Sequence, residues 1–260
     1  MKKKTVMLVA AIAMILCLAV GGTLAYFTDT TETYKNTFTM GNVKIELAEA
    51  TEADPDNNIV AGDKTDEGIT YTNMKPGFTY SKIPTVTVKD GSEDCYMVLE
   101  MDMTKYVSLI NLMMLNDEDA EATTTTAYVN ELVADKAHFQ KVVDTWFTGI
   151  NHKDWQIMNL EDLAKNLTNP DAHLVLYLGY IGEDSPLSAG EDVTFMTGFT
   201  VPASVTQDQL ERGYMSPTVE GKSASDISGM TISFKAYAIQ AEGIADINAA
   251  YTAMIGEKLF

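Results

Sequence analysis

Apolar and polar side chains alternate along much of this chain. In residues 95–103, Cys95, Met97, Leu99, Met101 and Met103 share one parity and Glu100 and Asp102 take the other, the period-two pattern of a half-buried strand. Residues 232–240 repeat it, with Ile232, Phe234, Ala236 and Ala238 set against Lys235 and Tyr237. Val193, Phe195, Phe199 and Val201 alternate with Thr194, Met196 and Thr200, and His173 to Ile181 is a more continuous apolar strand. Near the start, Phe38 and Met40 lie on one parity and Val43, Ile45 and Leu47 on the other. Gly41-Asn42 between them predicts a bulge or tight bend that resets the facing. A Lys75-Pro76-Gly77 turn leads into a strand predicted over 78–88, which Asp90-Gly91 ends. Residues 50–68 are acidic and turn-rich, a solvated loop.

The period changes in the middle of the chain. From Tyr128 to Phe147 the residues Val129, Leu132, Val133, Phe139, Val143 and Trp146 recur at three- and four-residue steps, which predicts one amphipathic helix of about five turns. Thr123 to Thr126 reads as a connector. Asn159 to Leu167 predicts a second, short helix with Asn159 as its cap, and Ile244 to Phe260 a last short one. The Met-rich stretch Leu109 to Leu115 reads as core, since Met fills irregular gaps, with an assembly contact as the alternative. Helices that interrupt a run of strands describe an insertion, over about residues 104–170, rather than βαβ alternation. The predicted class is mainly β.

The first residues carry an address. Lys2, Lys3 and Lys4 precede an uninterrupted apolar run from Val6 to Val20, shorter than the roughly 20 residues of a membrane span. Gly21-Gly22 follows, and Thr23 and Ala25 supply the small residues that signal peptidase requires, which places the cut before Tyr26. This reading gives a signal peptide over 1–25, a β domain over 26–243 that contains the insertion, and a tail over 244–260. Contact with the membrane is then expected only through the uncleaved leader.

Charge narrows the partners. With 37 Asp+Glu against 18 Lys+Arg the formal charge is −19, which opposes binding to phosphate backbones, so nucleic acid is not an expected partner. Of the two cysteines, Cys17 leaves with the leader and Cys95 remains as a small buried hydrophobe, with no intrachain disulfide. The histidines, His138, His152 and His173, are nowhere four residues apart, so the H-E-x-x-H arrangement of zinc peptidases is absent and no catalytic or metal-ligating residues are assigned. His138 is expected on a helix surface. Acidic clusters such as Asp117 to Glu121 would suit calcium, but no segment fits an EF-hand: after Asp54, Asp56 and Asn58 the glycine position holds Ile59. No cofactor is expected.

The GGTLAYFTD junction followed by NTFTMGNVKIEL resembles the TasA/camelysin family of Gram-positive surface proteins. Thr37, Phe38, Gly41, Val43, Ile45 and Leu47 match its first-strand pattern, and Asn73-Met74-Lys75-Pro76-Gly77 is similar to its N-L-K-P-G turn. The resemblance covers neither 104–170 nor 244–260. It implies a jelly-roll-like antiparallel β-sandwich, cleavage by a SipW-type signal peptidase, and secretion to the cell surface or biofilm matrix. It further implies assembly into fibres, a head-to-tail homopolymer built by donor-strand complementation, in which one subunit's N-terminal segment completes the next subunit's sheet. The expected donor is Tyr26 to Met40, with Tyr26, Phe27, Tyr34, Phe38 and Met40 as its apolar handles, whereas Val43 to Leu47 is expected to serve its own subunit. The function so implied is that of a structural subunit rather than an enzyme. Two alternatives are a camelysin-like surface metallopeptidase and a secreted binding module that does not polymerise.

Overall fold

A computed structural model describes residues 28–30, 42–65, 68–169, 172–212, 227 and 229–256. In chain order the strands are β1 (Thr28–Thr30), β2 (Ile45–Ala50), β3 (Ile59–Val60), β4 (Asp63–Thr65), β5 (Gly68–Thr70), β6 (Phe78–Ser81), β7 (Ile83–Val88), β8 (Cys95–Met103), β9 (Phe147–Thr148), β10 (Trp155–Ile157), β11 (Leu174–Tyr180), β12 (Asp192–Thr194), β13 (Gly198–Val201) and β14 (Ile232–Gln240). The α-helices are α1 (Tyr106–Leu115), α2 (Thr125–Ala134), α3 (Lys136–Trp146), α4 (Gln207–Arg212) and α5 (Ile247–Met254).

The fold is mainly β, as the alternation predicts. One sheet has the order β1-β14-β8-β11-β10, and two smaller ones, β12-β7-β2 and β3-β6-β13-β9, supply the other layer. Among the described residues the strand pairs are antiparallel except β3 with β6. The long strands β8 and β14 sit at the centre of the large sheet because both present an unbroken apolar face. Their register sets Phe234 opposite Met101, Ala236 opposite Leu99 and Ala238 opposite Met97. That face packs with Ile45, Tyr80, Val86, Val88, Phe199 and Val201 of the other layer in one core, the arrangement of a β-sandwich.

The reverse face of the large sheet is also covered. Val98, Tyr237 and Ile239 point outward and pack with Ile247, Ala250, Met254 and Ile255 of the C-terminal segment. Asp246 starts α5 by accepting the Ala249 N–H at 2.9 Å, a helix cap that the Ile244–Phe260 reading did not use. Among the described residues, no helix is long and apolar enough to cross a membrane.

Three sequence expectations need correction. The strand predicted over 78–88 is two strands, β6 and β7, in different sheets, and the chain changes sheet at the buried Lys82. The long helix predicted from Tyr128 to Phe147 is also two. Asp135 takes an extended conformation and caps α3 by accepting the N–H groups of Ala137 and His138 at 2.9 and 3.1 Å, while Thr124 caps α2 through the Ala127 N–H. Apolar spacing alone could not register that break, since the stripe resumes after a single residue. Residues Leu160–Ala164 form a 3-10 turn, and Asn159 does not cap it in the usual way. Its amide donates to the Asp162 carboxylate and the Val175 carbonyl, and its oxygen accepts the Tyr177 N–H, which fastens the turn to β11.

The insertion is part of the core rather than an appendage. Residues Tyr106 to Met114 of α1 are buried, as the Met-rich stretch predicts. Trp146 and Phe147 lie against Phe199 of β13, with ring centroids 6.0 and 5.5 Å apart. The segment also contributes β9 and β10 to the two layers, so it is not wholly helical.

Candidate functional site

The sequence points to the N-terminal edge. Among the described residues β1 is the outermost strand of the large sheet, and it runs antiparallel to β14, with Thr28 opposite Ile239, Asp29 opposite Ala238 and Thr30 opposite Tyr237. This short piece of the expected donor therefore pairs with its own chain. Thr23, Ala25, Tyr26, Phe27, Tyr34, Phe38 and Met40 lie outside the described residues. Val43 and Ile45 are buried in their own core, and β2 pairs with β7 from Ile45 opposite Val88 to Ala50 opposite Ile83, so this part of the chain serves its own subunit.

Cys95 is buried and free. Burial, reinforced by Asp94 and Glu191, pushes its thiol up to about 12, which makes it a packing residue and not a nucleophile. Beneath the β6–β7 crossover, Lys82 Nζ sits 2.8 Å from Glu49 Oε2, both side chains nearly excluded from solvent. They line a cleft of about 1350 Å³ together with Tyr71, Met74, Tyr80 and Met230. Within it the two charges neutralise each other, and the Tyr71 hydroxyl donates to the Ser81 carbonyl.

A second cluster was not anticipated. The loop after α1 carries Asp117 and Asp119, and the first turn of α3 carries His138. Asp117 Oδ2 lies 2.7 Å from His138 Nε2 and accepts the Tyr128 hydroxyl at 2.8 Å, while Oδ1 accepts the Asp119 N–H at 3.1 Å. On the other side of the ring, His138 Nδ1 lies 3.6 Å from Glu131 Oε1. Glu131 is itself held by the N–H groups of Glu121 and Ala122. Burial works against charge on Asp117, but the bonds from Tyr128, the Asp119 N–H and His138 prevail and hold its carboxyl below the usual range. Burial and the neighbouring Asp117 push the Tyr128 hydroxyl well up, so it remains a donor. His138 was expected on a helix surface, yet its side chain is only 10% exposed. The acidic loop folds back over α3, a tertiary event with no trace in ligand spacing.

One donor atom each from Asp117, Asp119 and His138 lie within 4.8 Å of one another. Fold and cluster together describe a β-sandwich with a helical cap that carries a histidine–carboxylate centre. Over residues 1–168 the chain matches the family described as camelysin metallo-endopeptidase, and it belongs to that TasA/camelysin family of secreted and surface proteins. No curated protein and no solved structure matches it.

The family's description implies a metal. The chain has no H-E-x-x-H segment, but one imidazole nitrogen and two carboxylate oxygens converge, a donor set that suits a divalent ion in number and kind. The residues fit such an ion.

Proposed function

We propose that the protein is a secreted structural subunit of cell-surface or matrix fibres, assembled by exchange of its mature N-terminal strand between copies. The observation that carries this reading is the position of β1, a three-residue edge strand at the start of the mature chain, laid on the nine-residue β14. Such a strand is replaced at little cost by the same segment of a neighbour, because the bonds lost in one copy are remade in the other. Such a contact is head-to-tail and does not close on itself, so it grows a filament. Processing by a SipW-type peptidase before Tyr26 would release the segment from its membrane leader and license assembly. Membership of a secreted and surface family accords with this role.

The test compares the chain that starts at Tyr26 with one that starts at Gly41, by electron microscopy and sedimentation. Filaments from the first and none from the second is the expected result; equal assembly overturns the proposal. The family's description favours a second reading, a metallo-endopeptidase. Stoichiometric zinc together with chelator-sensitive hydrolysis of casein by the purified chain would put that reading in place of the first.

A further inference from the structure

We propose that Asp117, Asp119 and His138 hold one divalent transition-metal ion of the zinc type, with Glu131 orienting the imidazole from behind. The ion ties the loop after α1 to the first turn of α3, and this role is independent of fibre assembly.

The surroundings of the His138 ring lead to this site. A neutral imidazole has one N–H, yet both ring nitrogens here face a carboxylate. Nε2 is the nitrogen turned to the Asp117 oxygen, and Nδ1 is the one turned to Glu131. Nε2 and the Asp117 oxygen stand 2.7 Å apart, a span that one cation can bridge with a bond to each. That separation is close to the ~3 Å between neighbouring ligand atoms around an ion with bonds of about 2.0–2.2 Å. An imidazole whose second nitrogen meets a carboxylate is also the usual arrangement of a metal-bound histidine.

The surroundings are prepared for positive charge. Tyr128 and the Asp119 N–H fix Asp117, and two backbone N–H groups fix Glu131, so the donors are ordered before any ion arrives. Asp117, Glu118, Asp119 and Glu121 crowd five consecutive positions. The charge opposite them is Lys141, whose ammonium pairs with the Asp119 carboxylate. Lys141 is 63% exposed and long, so it swings into water when an ion takes its place. The nitrogen ligand selects zinc over calcium, which takes oxygen donors.

The test titrates the metal-stripped, untagged chain starting at Tyr26 with zinc, manganese and calcium chlorides at neutral pH, by calorimetry. One zinc per chain is expected, with calcium at least tenfold weaker. Asp119→Asn, at an exposed position, should weaken zinc at least tenfold without loss of fold, and Glu131→Gln should weaken it by about 10- to 100-fold. Lys141→Ala should tighten binding severalfold, because the competing ammonium is gone, whereas a purely structural ion-pair network gives no gain. Circular dichroism of each variant confirms the fold. Absence of zinc binding overturns the proposal, and so does binding that Asp119→Asn and Lys141→Ala leave unchanged.

Discussion

Replacing Lys82 by Met should lower the unfolding free energy by about 3–5 kcal/mol, because it removes the ammonium from a buried carboxylate. Lys82 and Glu49 have side chains 8% and 5% exposed, and Nζ also lies 5.5 Å from the centre of the Phe234 ring. The pair sits where the chain leaves one sheet for the other, so its charges fix the crossover between β6 and β7. The loss is a large share of the roughly 5–15 kcal/mol that a domain has in total. Denaturant unfolding of Lys82→Met against the double variant Lys82→Met/Glu49→Leu separates the causes. The double variant should recover most of the loss, since an apolar pair of similar volume needs no compensation. A cost below about 1 kcal/mol for the single variant would mean that water reaches the pair and that it does not specify the crossover.

Trp146→Ala should cost a comparable ~3–5 kcal/mol, the range for deleting a large buried aromatic side chain. Trp146 is 2% exposed, lies at the end of α3, and packs on Phe199 of β13. Its loss therefore opens a cavity between the insertion and the sandwich. If the two are one cooperative unit, far-ultraviolet circular dichroism and tryptophan fluorescence from the remaining Trp155 should report a single transition at lower denaturant. Trp155 lies in β10 against Tyr180 and Phe195, within the sandwich core. If the helical signal were lost first and the Trp155 transition stayed in place, the helices would be a folding unit separate from the sheets.

The sandwich was legible because its central strands obey period two over long runs. Cys95 to Met103 and Ile232 to Gln240 read as strands, and they are the paired centre of the large sheet. The insertion was legible in position but not in detail. Asp135 divides one apparent helix into two, and the signal for that, an Asp able to cap the second piece, was present in the sequence but is easily outweighed by a continuous apolar stripe. Lys82 hides in an alternating segment, where a lysine reads as the solvent side; only the tertiary pairing with Glu49 makes it the hinge between sheets. The histidine–carboxylate cluster was least legible. Asp117 and His138 are 21 residues apart, and no local motif brings an acidic loop onto the helix after next.

Cysteine trapping across the pairing of β1 with β14 tests the central claim most directly. Asp29 and Ala238 are antiparallel partners, and such partners stand at a separation that a disulfide spans. Cys95, buried with its thiol pushed up to about 12, stays out of the reaction. One preparation carries Asp29→Cys alone and another Ala238→Cys alone, so that a disulfide between the two positions can only join different copies. Mixed under assembling conditions and oxidised, they should give the heterodimer in the filament fraction. If no heterodimer forms, while the double variant closes the link entirely within single chains, β1 belongs to its own molecule and the strand-exchange account is wrong.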